Sequence, residues 1–285
     1  MTRQFPTEGS PASLSAFAKA VSRPDESIEL PLAALLIARM EYPDLDIGPY
    51  LRRLDVMADA ARPRLEEARD LRERLEALND CLFVREGFRG NLENYRDPRN
   101  SFLNEVLDRR TGIPITLSLV YLEVGRRLGL PLSGAGMPGH FLVTCGGADA
   151  PIVIDPFGGG ATLSLADCQR ILDGLYEGRV PFAPWMLAPM GPRKILVRIL
   201  NNLKSIYVQQ DQYRKAIAVV ERLLVLHPDS PGDLRDRGLL ACQLKRYPAA
   251  SADLDRYLRL SPEAEDRDVI LEHLRSIRER VAALN

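Results

Sequence analysis

Charge of one sign is not in excess in this 285-residue chain: 38 Lys and Arg stand against 39 Asp and Glu, for a net charge of −1. That balance gives no global pull toward nucleic acid or anionic membrane, and neither is expected as a partner. Cysteine is sparse. Cys81, Cys145, Cys168 and Cys242 lie far apart with no CxxC pair, which argues against a zinc ribbon or a disulfide framework and fits a reducing compartment. Only one of the three histidines, His140, is well placed in a motif, and no second ligand follows at helical or strand spacing, so neither metal nor cofactor is expected. The opening MTRQFPTEGSPASLSAFAKA has no apolar core of secretory length, and no later stretch approaches the roughly 18 uninterrupted apolar residues of a membrane span. The expectation is a cytoplasmic protein.

What is present is the composition of a folded chain, 46% hydrophobic and 27% charged, long enough for two compact units. Residues 1–11 read as a loose lead-in, with Pro6, Gly9 and Pro11 among polar residues. Helical periodicity follows around Leu14–Val21, Leu32–Met40, Tyr50–Ala61 and Leu65–Ala77, with Pro43 and Pro63 as separators, so residues 1–80 are expected to be a helical lead region. Over 81–180 a long helix at about Ile115–Leu128 gives way to short apolar runs, GAGMP, HFLVTC and IVIDP, separated by PG and GGADAP turns. These predict a small antiparallel sheet. In HFLVTC the side chains of His140 and Cys145 fall on opposite faces. Pro181, Pro184, Pro189 and Pro192 mark a linker over 181–194, onto which Trp185 and Met186 are expected to pack.

Residues 195–285 carry an internal repeat. Tyr213, Ala216, Ala218, Leu224, Leu226 and Pro228 recur as Tyr247, Ala250, Ala252, Leu258, Leu260 and Pro262, each displaced by 34, the tetratricopeptide period. Two such repeats leave stacking faces open, since roughly three are needed for independent stability. A helix at about Ala264–Leu284, with Val269, Leu271, Leu274, Ile277 and Val281 as its apolar stripe, is expected to cap one end, and the preceding body the other.

The strings DPRNSFLNEVLDRRTGIPITLS, MPGHFLV and IVIDPFGGG, followed by helical repeats, resemble the SirB-one family, whose transglutaminase-like domain also occurs in a eukaryotic F-box protein. The resemblance implies a degenerate transglutaminase-like, papain-like α+β core followed by tetratricopeptide α-α repeats, the whole mainly α with a small antiparallel sheet. In that superfamily a cysteine opens a helix that ends in Gly-Ile-Pro about fifteen residues later. Here the helix ends at Gly129-Leu130-Pro131, and the residue fifteen before Gly129 is Pro114. His140 matches the histidine and Asp155 the acid that orients it. Pro114 cannot act as a nucleophile, although it suits a first helical turn.

Thr116 and Ser118, in the same helix, read as helix-start or back-bonding hydroxyls rather than substitutes. Arg109 and Arg110, just upstream of a helix N-terminus that attracts anions, read as a solvated pair. The expectation is therefore a non-catalytic interaction or regulatory scaffold. The alternative is a hydrolase or acyl-transfer enzyme using His140 and Asp155 with water or an unidentified nucleophile. The repeat groove is expected to include Arg198, Asn201, Ser205, Gln209, Arg235 and Gln243, a polar and basic lining suited to a protein or peptide partner presenting an acidic segment or a carboxylate end.

Overall fold

The computed structural model describes residues 11–147 and 151–282; most of the expected lead-in and the last residues of the expected capping helix lie outside the described residues. Helices α1 (Pro11–Val21), α2 (Leu30–Ala38), α3 (Ile47–Glu67) and α4 (Leu71–Asn79) come first. A two-residue parallel pair, β1 (Arg89–Gly90) and β2 (Thr111–Gly112), brackets α5 (Leu103–Arg109). Then come α6 (Pro114–Arg127), β3 (Leu132–Ala135), β4 (Leu142–Cys145), β5 (Ile152–Asp155), β6 (Ala161–Leu163), α7 (Leu165–Tyr176) and β7 (Pro189–Met190). The chain continues through α8 (Pro192–Gln209), α9 (Tyr213–Leu226), α10 (Pro231–Gln243), α11 (Tyr247–Leu260) and α12 (Arg267–Ala282). It is mainly helical with a small antiparallel sheet, in two compact units.

One unit comprises Arg23–Ala38 and Asp44–Ile199. Its sheet runs β6-β5-β4-β3-β7, antiparallel throughout, with Val143 of β4 opposite Gly134 of β3 and Ile154 of β5. Helix α6 packs on β3 and β4 and against α3. It is buried from Pro114 to Gly125, as a sequence apolar nearly all round, PITLSLVYLEVG, requires. On the sheet, Met137, Leu142 and Val153 pack with Cys168 and Leu172 of α7 and with Met186.

Two expectations fail in this unit. Pro63 does not separate two helices, because α3 runs through it to Glu67. Pro63 and Asp59 are both exposed, so the proline lies on the solvent side of the helix, where a carbonyl without its intrahelical partner is tolerated. Met186 packs as expected, but Trp185 is 67% exposed. The proline-rich segment forms a 3-10 turn over Pro184–Leu187 and then β7, an edge strand, where a missing N–H is tolerated.

The other unit takes in α1, residues 39–43 and the chain from Leu200 onward. Helices α9 and α11 begin at Tyr213 and Tyr247 and end at Leu226 and Leu260, so the 34-residue repeat of the sequence is a repeat of structure. Helix α10 packs against both, and Gly238 permits the close approach: a Cβ there would lie 2.8 Å from the Leu254 side chain and 3.3 Å from the Ala250 carbonyl. Helix α12 covers α11 through Ile270, Leu274 and Ile277. Its buried stripe is turned from the expected one, leaving Val269 exposed. Helix α1 lies against α9, and Ser13 accepts a hydrogen bond from Arg222 at 2.8 Å. The lead region expected over 1–80 is thus divided, with α1 in this unit and α2 to α4 in the other. Periodicity reports that a segment is helical without saying which surface it joins.

Candidate functional site

The turn that precedes β4 carries His140. Gly139 adopts φ +68°, a left-handed conformation that glycine accepts without strain, and a side chain there would press on Leu175 and Tyr176. The backbone N–H of His140 donates to the Met137 carbonyl at 3.1 Å. Asp155 ends β5, two strands into the same sheet. The His140 Nε2 and Asp155 Oδ1 atoms stand 3.0 Å apart, with the residues 9% and 8% exposed. The Phe157 N–H also donates to Asp155 Oδ1, at 3.0 Å. With the carboxylate accepting from Nε2–H, Nδ1 of His140 is left as an acceptor, and it makes no hydrogen bond to any described residue. The edge of Phe157 meets the His140 ring at 6.0 Å, and Tyr95 meets Phe157 at 6.2 Å, forming an aromatic wall beside the pair.

Pro114 is the first residue of α6, with Ile113 as N-cap. The Thr116 hydroxyl accepts from the Ile113 N–H at 3.1 Å and donates to the Asn100 carbonyl at 2.7 Å. The Ser118 hydroxyl donates to the Phe141 carbonyl at 3.4 Å, tying α6 to the residue after His140. Both hydroxyls serve backbone. Among the described residues no thiol or hydroxyl hydrogen-bonds the His140 ring.

The four thiols are also electrostatically unsuited to attack. Burial raises the pKa of Cys81, Cys145, Cys168 and Cys242 alike, and at Cys168 the Asp167 and Asp155 carboxylates raise it further. Alkylation with iodoacetamide at about pH 6 is therefore expected to label none of the four faster than a free thiol such as glutathione. One cysteine reacting tenfold faster would contradict this account of the thiols.

Arg198 does not line a repeat groove as expected. It belongs to the same compact unit as His140, and one terminal nitrogen donates to the Met137 carbonyl at 2.6 Å and to that of His140. Its guanidinium lies over Phe141 at 5.6 Å, and burial lowers its pKa. A long arginine near the start of α8 thus fastens the turn that carries His140. Nothing in the α8 sequence distinguishes this from a solvent-facing arginine. Arg109 and Arg110 are also engaged elsewhere: Arg109 donates to Asn100 at 2.8 Å and Arg110 to Glu86 at 3.1 Å.

Within the repeat unit, Asn201, Ser205 and Gln209 line one groove of about 360 Å³, together with Lys204, Val208, Asp236, Leu239 and Leu240. Lys204 is tied to Asp233 at 3.1 Å and to Asp236 at 2.8 Å. Arg235 pairs with Asp266 at 2.9 Å and stands over Tyr257, in a different depression of the surface. Gln243 ends α10 and is not part of the lining. Among the described residues no group of three His, Cys, Asp or Glu side chains converges as a metal site would, and no helix is long and apolar enough to cross a membrane.

Residues 49–201 match the Transglutaminase-like superfamily, and residues 203–275 match the Tetratricopeptide repeat family. A UPF0162 protein of Xylella fastidiosa is 42% identical over 253 residues, covering 88% of this chain and 90% of the relative. The chain belongs to the UPF0162 family of transglutaminase-like proteins. Its Vibrio cholerae relative is 30% identical over 238 residues, covering 83% of this chain and 88% of that one. The likeness extends to the mouse F-box only protein 21, 34% identical over 166 residues, where it covers 54% of this chain and 26% of the relative. This is the SirB-one architecture, a transglutaminase-like domain followed by tetratricopeptide repeats. Tetratricopeptide repeats generally mediate protein–protein interaction through the surfaces their stacking creates.

Proposed function

We propose that this member of the family is a non-catalytic transglutaminase-like protein that acts as a protein–protein interaction or regulatory scaffold, holding a partner segment in the groove of its repeats. The observation that carries the reading is Pro114 at the first position of α6. Acyl transfer in the superfamily needs a thiolate at that helix start, where the helix dipole lowers its pKa, beside an imidazole that is oriented by an acid. Here the imidazole and the acid are together, while the helix starts with a residue that bears no nucleophile and the neighbouring hydroxyls are bonded to backbone.

The chemistry of the partner follows from the groove. An acidic segment was expected on the strength of Arg198 and Arg235, but Arg198 is turned toward His140 and Arg235 is neutralised by Asp266. Lys204 is held between two carboxylates. What remains open is the apolar strip of Val208 and Leu239 flanked by the amide of Asn201, which suits an extended peptide with an apolar anchor whose backbone bonds to that amide.

The test has two arms. A library of displayed peptides panned against the whole protein should yield apolar-anchored sequences, and Val208→Asp, on a 41% exposed position, should weaken the selected peptides by at least tenfold. In parallel, fluorogenic ester and amide substrates and an amine-incorporation assay should show no turnover that His140→Ala abolishes. The free Nδ1 of His140 favours one competing reading, a hydrolase in which the imidazole takes a proton from water. Turnover lost in His140→Ala and Asp155→Asn would establish it and overturn the proposal.

A further inference from the structure

At the end of α6 away from Pro114, about 13 Å along the helix at 1.5 Å per residue, a cavity of about 560 Å³ lies within the transglutaminase-like unit. Its charged lining consists of Glu26, Glu29, Asp55, Glu123, Arg126 and Arg127. Four carboxylates therefore stand against two guanidinium groups. Arg23, outside the lining, pairs with Glu29 at 3.3 Å and still leaves one negative charge in excess.

Glu123 is the unusual member. It is 5% exposed, on the face of α6 that meets the cavity, and all its side-chain bonds fall on one oxygen. Oε2 accepts from Arg126 at 3.1 Å and from Arg127 at 2.7 Å, while Oε1 accepts no hydrogen bond from any described residue and is not sealed from solvent. Arg127 is shared with Asp55, at 2.6 Å, so its charge is divided between two acids. A carboxylate so deeply placed ordinarily has both oxygens filled, and because solvent reaches Oε1 its second acceptor is open to water or to a ligand's N–H. Around it the wall is apolar: Ile28, Leu30, Leu122, Leu130 and Ile195 all line the cavity.

We propose that this cavity binds a small organic cation, a primary amine or guanidinium with an apolar body, whose N–H groups donate to the free Oε1 of Glu123. The excess negative charge selects the cation, the deeply placed Oε1 of Glu123 fixes its head, and the aliphatic wall takes its chain. The site is independent of the His140–Asp155 pair and of the repeat groove, and stands whether or not the protein is catalytic.

The probe is n-hexylamine, protonated at neutral pH as a lysine side chain is, titrated calorimetrically into the full chain beside hexanol and hexanoate. Hexylammonium should bind at least tenfold more tightly than hexanol, with hexanoate weakest, since a charge-assisted hydrogen bond is stronger than a neutral one. Glu123→Gln should remove that preference. Because losing this charge could unfold the chain, Ser27→Phe, on an exposed turn at the lining, serves as a second block and should weaken hexylammonium by a similar factor. Equal binding of amine and alcohol, no amine binding at all, or amine binding unchanged in Ser27→Phe would each overturn the proposal.

Discussion

Replacing Asn100 with alanine is expected to destabilise the transglutaminase-like unit by about 3 kcal/mol, the largest loss anticipated for a single polar side chain in the protein. Asn100 is fully buried just before α5 and uses both ends of its amide. Nδ2 donates to the Asn94 carbonyl at 2.8 Å and to that of Tyr95 at 3.3 Å, while Oδ1 accepts from Asn91 at 3.0 Å and from Arg109 at 2.8 Å. Its own carbonyl accepts from Thr116 in the first turn of α6.

One amide thus fastens the segment that carries Tyr95, the arginine that ends α5, and the start of the helix beside His140. Alanine strands two carbonyls, one amide donor and one charged donor, each costing about 1–3 kcal/mol where water does not reach it. Partial exposure of Asn91 and Asn94 brings the sum down to the stated figure. Urea unfolding measures the loss directly, and hydrogen exchange should show residues 91–97 opening first. A loss under about 1 kcal/mol would mean that water takes over the network. Asn100→Asp is expected to be no better, because it keeps the acceptors but sets a carboxylate against two carbonyls.

The role of Asn100 is legible in outline in NSFLNEVLDRR, where Asn100, Asn104 and Asp108 recur at i+4 beside the apolar face of Phe102, Leu103, Val106 and Leu107, a pattern in which buried amides fix a neighbouring loop. Its partners are not, since they depend on how the chain folds back from Asn91. The same limit explains the other differences. The repeats were legible because a period of 34 is a local property, and α9 and α11 begin on the tyrosines that mark it. The meeting of His140 with Asp155 was legible through the family resemblance, and the structure achieves it because adjacent antiparallel strands bring their ends together.

Arg198 and α1 were not legible in this sense. Each is an amphipathic segment whose neighbour lies about 60 to 200 residues away in sequence, and periodicity is silent on neighbours. Glu123 with Arg126 and Arg127 has the spacing of a solvated helix face, and only the fold shows that the acid is inside. The two-residue strands β1 and β2 are shorter than any pattern that alternation can reveal.

Arg222 is the second position where a large effect is expected, and there the sign is reversed: Arg222→Met should stabilise the repeat unit, by about 1–3 kcal/mol. The side chain is 0% exposed in α9. One terminal nitrogen donates to the Ala218 carbonyl at 3.0 Å and the other to the Ser13 hydroxyl at 2.8 Å, while Nε has no partner. No carboxylate forms an ion pair with it among the described residues. Burial lowers its pKa from the ordinary arginine range to about 10, against the opposing pull of Glu221. At about 1.4 kcal/mol per tenfold change in proton affinity, that depression corresponds to on the order of 3 kcal/mol held against folding while the group is charged.

The unfolded chain binds this proton more tightly than the folded one, so the penalty is in full force below pH 10. It fades as the pH rises above about 10 toward the ordinary arginine range. Methionine fills much of the same volume with no charge to desolvate, and its flexible chain follows the path of the arginine stem. The hydroxyl of Ser13 then loses its donor, which offsets part of the gain, and Ser13→Ala in the same chain should recover that part. Thermal unfolding at neutral pH should rank Arg222→Met with Ser13→Ala above Arg222→Met, and both above the parent. A parent more stable than both would show that the two hydrogen bonds from Arg222 to α1 and α9 outweigh the burial of its charge.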